Sequence, residues 1–509
     1  MSPVIATRSS TVDDVVRRCA MRHPERTALL FQDRSWTYRE LDEAVTRAAG
    51  VLLELGLAKG DRVAAYGKNS DAYLLGFLGC ARAGLIHVPI NYNLTGGELS
   101  YLVEQSGSRV ALADPVLAGM FDDIEHSLER VLILRDADGC LLDRAGSGPV
   151  PTLDVTVADT DLAQLLYTSG TTSRPKGAMM THRAFVHEYI SCIVSLDFRA
   201  DDKPLHAMPL YHSAGMHAFL LPYLAVGAVN HLMEAPDIPE ILRRIEADSI
   251  GSLFLAPTVW VPLSNHPDFA ARDLTALRKA FYGASIMPQP VLQRLQKRLP
   301  DLGFYNCFGQ SEIGPLATVL GPEEHADRPE SCGTSVLFVE LRVVDGAGND
   351  VPPGELGEVV YRSPQLCEGY WGKPAETAEA FKGGWFHSGD LVRADADGSI
   401  TVVDRIKDVI NTGGVLVASR EVEDALYEHP AVAEAAVIST PDERWIEAIT
   451  AFVVLNDVGG EDVTAEALIA HVRGKLAGFK VPKRVLFVDE LPRNASGKLL
   501  KRVLRDGLS

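Results

Sequence analysis

Between Tyr167 and Gly177 the chain reads YTSGTTSRPKG, a run able to hold phosphate. Thr168, Ser169, Thr171, Thr172 and Ser173 offer hydroxyl donors, Gly170 and Gly177 let backbone N–H groups approach an anion, and Lys176 adds a point charge. It is not the P-loop of nucleoside triphosphatases. Counting from Gly170, Pro175 stands where the second glycine belongs, and Gly177 follows Lys176 in place of Ser or Thr. Taken alone, a flexible surface turn explains such a composition equally well.

The elements around the run must decide its geometry. QLLY reads as an apolar strand entering the loop, and MMTHRAF as a helix leaving it. Upstream, Leu41, Ala44, Val45, Ala48, Val51, Leu52 and Leu55 recur at helical steps. DRVAAY, LIHVPIN and RVALAD read as strands alternating with helices, and Thr95 to Glu98, TGGE, has capping-box spacing. This alternation predicts an α/β fold with parallel sheets covered by helices. Residues 136–161 lose periodicity and read as a surface connection. Beyond Ser331, VELRVVD, GEVVYRS and SITVVD suggest a β-rich subdomain. From about Asp404 to Lys407 onward the helices EVEDALYEHP and AEALIAHVRGKL, with the strands AEAAVIS, AITAFVVL and RVLFVD, predict a small α+β domain. The expected division is 1–404 and 405–509.

Bulk properties limit the ligands. At 509 residues, 46% hydrophobic and 23% charged, two or more domains are expected. A net charge of -19 with no long basic run argues against nucleic acid as a partner. Phosphate must therefore be held by a focused local site. The seven cysteines are scattered without a CxxC pair, which suggests neither disulfides nor zinc, and a reducing compartment fits. The first residues lack an apolar signal-peptide core, and Ala218 to Val229 is far short of the roughly 20 residues that span a bilayer. A cytoplasmic protein without a transmembrane segment is expected. Monomer and homodimer are both open.

Six runs, taken in order, resemble one family. YTSGTTSRPKG, FYGASIMP (Phe281 to Pro288), YNCFGQSE (Tyr305 to Glu312), GWFHSGDL (Gly384 to Leu391), VVDRIKDVINTGG (Val402 to Gly414) and LPRNASGKLLKR (Leu491 to Arg502) are similar to the motif series of the ANL superfamily. Those are acyl-CoA synthetases, peptide-synthetase adenylation domains and luciferases. The likeness runs from about Ser35 to Arg502. PLYHSAG, SREVE and AGFKVPK resemble the bacterial fatty-acyl-CoA synthetase branch.

The resemblance implies the ANL fold, with a large N-terminal domain and a mobile C-terminal one, and a two-step reaction. A carboxylic acid, by default a medium- or long-chain fatty acid with aryl acids second, attacks ATP to give acyl-AMP and pyrophosphate. Coenzyme A then takes the acyl group. It implies that Glu312 ligates Mg2+ and that Ser169, Gly170, Thr171, Thr172 and Lys176 cradle phosphates with Thr168. Gly283, Ala284 and Ser285 would approach adenine, Phe308 would stack on it beside Gly309 and Gln310, and Ser311 would reach the α-phosphate. Asp390 would hold the ribose hydroxyls, and Arg405 would reach ribose or phosphate. Lys498 would be the catalytic lysine and Lys407 the hinge. Trp445 and Phe479 would sandwich the adenine of coenzyme A, with Gly413 and Gly414 lining its tunnel. His212 would line the acyl pocket, which Met216, Phe219, Tyr282 and Pro315 could extend, although ordinary core explains these four at least as well.

The chain departs from the pattern twice. Ser173 stands where the family usually carries glycine, and GGVLVAS lacks the usual asparagine after its glycine pair. The second departure leaves a carrier-protein thiol or an amine open as acceptor, and an oxyanion such as nitrite open as substrate. A serine hydrolase through YHSAG fails because Tyr211 replaces the first glycine of the nucleophile turn. A non-catalytic nucleotide-binding relative should have lost Lys498, Glu312 or Asp390, and all three are present.

Overall fold

The apolar stripe after Thr37 forms α1, Tyr38–Glu54, which buries Leu41, Ala44, Val45, Ala48 and Leu52. Thr37 caps it with a complete capping box to Glu40, worth about 1 kcal/mol. The TGGE spacing does not act as a box. A helix does span Gly96–Ser106, but Thr95 makes no side-chain cap bond. Gly96 enters with φ 51°, and the Glu98 N–H donates to the Thr95 carbonyl (3.2 Å) in place of its hydroxyl. The computed structural model describes residues 9–168, 174–285, 287, 289–412, 415–442, 445–456, 463–493 and 499–508.

The expected surface connection at 136–161 is not all surface. It contains α2, Leu141–Gly146, whose Leu141 and Ala145 are fully buried in the same core as α1. Two apolar side chains four residues apart suffice to seat one helical turn, too short a signal for periodicity to reveal.

The chain packs as two compact units. The first takes its described residues from Met1–Thr168, Pro175–Leu341 and Tyr361–Phe386. It holds two sheets. In the six-stranded one the order is Arg130–Ile133, Ser108–Ala113, Arg62–Tyr66, Ile86–Ile90, then β1 (Leu162–Thr168) and β2 (Lys176–Thr181). All neighbours are parallel except β1 and β2, and Ile86–Ile90 is buried at every position, as a sheet covered on both faces requires.

The phosphate-type run therefore joins two strands, not a strand and a helix. β2 pairs antiparallel with β1, Tyr167 opposite Gly177 and Thr168 opposite Lys176. The helix begins only at α3, His182–Ser195, capped by Thr181, which accepts the Ala184 N–H. At Gly177 an added Cβ would lie 3.1 Å from the Tyr167 ring, which would have to give by a few tenths of an ångström.

The second sheet has nine strands. From one edge they run Thr334–Ser335, Thr318–Leu320, β4 (Gly303–Phe308) beside β3 (Lys279–Gly283), Ser252–Phe254, Pro204–His206, Asn230–Leu232, Thr27–Phe31 and Arg34–Thr37. The interior pairs are parallel and the pairs at both edges antiparallel.

A buried polar chain ties β1 to the segment after YHSAG. The Tyr189 hydroxyl donates to His217 Nδ1 (2.9 Å), His217 Nε2 to Gln164 Oε1 (2.8 Å), and Gln164 Nε2 to His87 Nδ1 (2.9 Å). Phe185 stacks on His217 at 3.7 Å. This assignment keeps both rings neutral, and burial pushes His87 down to about 3 and His217 below its usual range. His206 is likewise lowered to about 4 by burial. The folded chain refuses protons that the unfolded chain accepts near pH 6.5, so stability falls as pH drops below that value. Each such ring should cost roughly a factor of ten in the folding equilibrium per pH unit. Urea unfolding at pH 5 and pH 7 should show the loss, and His87→Gln should make the slope shallower. A slope unchanged in that variant would clear His87.

The second unit draws on Arg342–Val360 and His387–Ser509. A four-stranded sheet runs Glu340–Val344, Leu356–Arg362, β5 (Phe386–Ala394) and β6 (Ile400–Arg405). A further sheet, Val415–Val417, Ile410–Thr412, Ile446–Leu455, Val432–Asp442, with Arg484–Phe487 beside Ile446–Leu455, packs on the helices Ser419–Tyr427 and Ala465–Arg473. Asp404 Oδ2 links the two parts, accepting from Ser419 N–H (2.6 Å) and its hydroxyl (2.7 Å).

Candidate active site

The β1–β2 pair leaves Thr168 and Lys176 facing each other at its open end. The surroundings hold this end firmly. Tyr101 donates to the Pro175 carbonyl (3.0 Å), the Tyr167 hydroxyl donates to Gln105, and Gln105 Nε2 donates to the Trp371 carbonyl (3.0 Å).

Glu312 meets the pair from a distant part of the sequence. Its Oε1 accepts the Thr168 hydroxyl (3.1 Å) and the Tyr370 hydroxyl (3.1 Å), and Lys176 Nζ lies 4.3 Å from the Tyr370 ring centre. A carboxylate, a hydroxyl and an ammonium thus converge on one aromatic ring. Glu312 is 8% exposed, and among the described residues its Oε2 makes no hydrogen bond. Mg2+ favours one or two carboxylates completed by phosphate oxygens and water, so a single fixed carboxylate with one open oxygen fits it. Among the described residues no group of three His, Cys, Asp or Glu could enclose a metal without such help.

Close backbone approach shapes the adjoining turns. At Gly283, which ends β3, a Cβ would stand 2.3 Å from the Cys307 carbonyl oxygen. At Gly309, just after β4, it would stand 2.1 Å from the Pro315 carbonyl oxygen. Neither position can carry a side chain. Ala284 follows with φ 65°, a strained conformation for a residue with a Cβ, costing about 1–3 kcal/mol, and Ser285 beside it is exposed. Phe308 is half-buried, and Gln310 Nε2 is buried without a partner among the described residues. The Ser311 and Ser213 hydroxyls meet at 2.9 Å, which joins this turn to YHSAG. Beside Ser213, His212 Nδ1 accepts the Ala214 N–H at 3.3 Å.

The suggested pocket residues are mostly core. Met216 belongs to the core around α1, and Tyr282 to a different one, its hydroxyl paired with His325 Nε2 (3.0 Å). Phe219 stacks on Phe254 (4.2 Å) and adjoins Phe281, which contacts Tyr305.

In the second unit Asp390 and Arg405 are cross-strand partners on β5 and β6, bridged at 2.6 Å. The fifteen-residue spacing is that of a hairpin. Lys407 is exposed on the short turn Ile406–Asp408. Trp445 carries Lys483 5.0 Å from its ring centre, and Phe479, 39% exposed, has Lys480 at 5.8 Å. Ser169, Gly170, Thr171, Thr172, Gly413, Gly414 and Lys498 lie outside the described residues.

One contributor was not expected from the sequence. Residues 363–371 strap the Glu312 turn to β2: the Cys367 N–H donates to the Glu312 carbonyl (2.8 Å), Glu368 N–H to the Met179 carbonyl (2.9 Å) and Trp371 N–H to the Gly177 carbonyl (2.8 Å). Tyr370 comes with this strap. Its run, CEGYW, carries no local signal beyond an aromatic pair, so only the fold shows which carboxylate the phenol reaches.

Family models match both parts of the chain, the AMP-binding enzyme at residues 16–371 and the AMP-binding enzyme C-terminal domain at 421–498. The chain belongs to this family, the ANL adenylate-forming enzymes. A feruloyl-CoA synthase of an Amycolatopsis species is 38% identical over 490 residues, covering 96% of this chain and 97% of its own. A fatty acid–[acyl-carrier-protein] ligase, ScoC, of Streptomyces coeruleorubidus is 34% identical, covering 96% and 94%. Among solved structures, the o-succinylbenzoate coenzyme A synthetase of Bacillus subtilis with ATP and a magnesium ion superposes with a TM-score of 0.87 at 27% identity, covering 97% of this chain and 99% of its own. ANL acid–CoA ligases join a small-molecule acid to CoA through an adenylate, using ATP and Mg2+. Among the described residues no helix is long and apolar enough to cross a membrane.

Proposed function

We propose that this ANL ligase activates a hydrophobic monocarboxylic acid, an arylpropenoic acid of the ferulate kind ahead of a medium- or long-chain fatty acid, and passes it to CoA. The observation that carries the reading is the convergence of Thr168, Lys176 and Glu312 beside the serine contact between the YHSAG and QSE turns. The 38% identity to a feruloyl-CoA synthase favours the aryl acid.

In the first step a carboxylate oxygen bonds to the α-phosphorus and the bond to pyrophosphate breaks. Thr168, Lys176 and the loop residues Ser169, Gly170, Thr171 and Thr172 hold the phosphates while negative charge shifts onto their oxygens. Mg2+, when bound, neutralises phosphate charge, and Glu312 Oε2 is the oxygen that would hold it. Gly283, Ala284, Ser285, Phe308, Gly309 and Gln310 receive the adenosine, Ser311 faces the α-phosphate, and the Asp390–Arg405 pair turns to the ribose hydroxyls. Lys498 stabilises the developing oxyanion. In the second step the CoA thiol gives up its proton to solvent, its sulfur bonds to the acyl carbon, and the bond from that carbon to the phosphate oxygen breaks to release AMP.

Residues 1–404 and 405–509 act as the two working domains, with the dihedral change at Lys407 that brings Lys498 in for the first step and withdraws it for the second. Trp445, Phe479, Gly413 and Gly414 then receive CoA, and Lys483, beside the Trp445 ring, supplies a cation suited to its phosphates. His212 lines the acyl side. Seven free thiols suit the reducing cytoplasm.

The similarity to a fatty acid–[acyl-carrier-protein] ligase supports a second reading, in which a carrier-protein thiol is the acceptor. A panel of ferulate, benzoates, and C8 to C16 fatty acids, scored for pyrophosphate release with and without CoA, separates these. Ferulate should turn over fastest and yield its CoA thioester. A preference for fatty acids would replace the aryl reading, and pyrophosphate without thioester would favour the carrier protein.

A further inference from the structure

Behind the turn that bears Glu312 lies a carboxylate without solvent contact. Glu188, on α3, is fully buried. Its Oε1 accepts the Leu316 N–H (2.9 Å) and the Cys192 thiol (3.3 Å), and its Oε2 accepts from the Gln365 amide. Gln365, equally buried, also donates to the carbonyls of Leu316 (3.1 Å) and Ile313 (3.3 Å), while its Oε1 accepts the Ser191 hydroxyl (2.6 Å). A Cβ on Gly314 would stand 2.8 Å from Glu188 Oε2, so the carboxylate lies flush against the turn.

The Gln310–Leu316 turn is thus gripped from behind at Ile313 and at both backbone groups of Leu316. Burial pushes the Glu188 carboxyl up to about 8, against the pull of the Leu316 N–H and the Cys192 thiol. A leucine would fill the same space without that desolvation cost. What the carboxylate adds is a fixed acceptor for Leu316 and Gln365. A shift of a few tenths of an ångström here moves Glu312 relative to Thr168 and Tyr370, the partners of its Oε1.

We propose that Glu188 and Gln365 are positioning residues for the first half-reaction, locking the Gln310–Leu316 turn so that Glu312 presents Oε2 to the metal of Mg·ATP. This rests on the reading of Glu312 as the metal ligand, so Glu312→Gln is the reference variant. Calorimetry of the full-length protein with Mg·ATP and, separately, with metal-free AMP is the test. Glu188→Ala should weaken Mg·ATP binding about 10-fold, the effect of losing one or two buried hydrogen bonds, and weaken AMP, which meets Gln310 and Ser311 of the same turn, by a clearly smaller factor.

Glu188→Gln keeps the volume and the Leu316 acceptor but sets an amide NH2 against that of Gln365. It should fold even where the alanine variant does not, and weaken Mg·ATP about threefold. Equal weakening of both ligands would make Glu188 a purely structural group and overturn the proposal. So would unchanged Mg·ATP affinity in folded Glu188→Gln when Glu312→Gln does weaken it. Unchanged affinity in Glu312→Gln itself would overturn the metal assignment and this inference with it.

Discussion

Lys498→Ala should lower acyl-AMP formation by about 100- to 1,000-fold, the usual loss when one group that stabilises a developing oxyanion is removed. Thioester formation from supplied acyl-AMP and CoA should stay within about threefold, because that step begins after the oxyanion of the first has been resolved. The asymmetry is the informative result. A lysine that only maintained the C-terminal domain would depress both steps together. Pyrophosphate release and single-turnover thioester formation, measured on one preparation, separate the two cases.

Glu312→Gln should lower pyrophosphate release by about 100-fold and raise the Mg2+ concentration needed for half-maximal rate. The amide still accepts from Thr168 and Tyr370 through its carbonyl oxygen, so the turn keeps its shape. What disappears is the charge on the open Oε2 side. Tyr370→Phe tests the same corner more gently, since it removes one of two donors to Oε1 and leaves the aromatic face beneath Lys176. Its effect should be near tenfold or less. If both variants retained full activity with unchanged magnesium dependence, the metal would have to be held elsewhere.

Much of this was legible from sequence because it is local. α1 is written in steps of three and four residues, and the six motifs are contiguous runs whose order alone identifies the family. The pairing of Asp390 with Arg405 was not among these readings; it came with the hairpin of β5 and β6. Local reading failed where two conformations fit the same few residues. KGAMMT has neither a long helical stripe nor a clean alternation, and it became β2 because β1 offered an unpaired edge. α2 was invisible because a single turn carries too little periodicity.

The sequence by itself determined the fold class, the family and the residue types able to handle phosphate and a divalent cation. Tertiary structure alone decided who meets whom around Glu312. Thr168 lies 144 residues away in the chain and Tyr370 lies 58. Behind the turn, Glu188 is 128 residues from Leu316 and 177 from Gln365. Such contacts depend on the order of strands in two sheets and on the strap that crosses between them. Propensity and periodicity act over a few residues, whereas the partner of a buried carboxylate is chosen by packing across the whole unit.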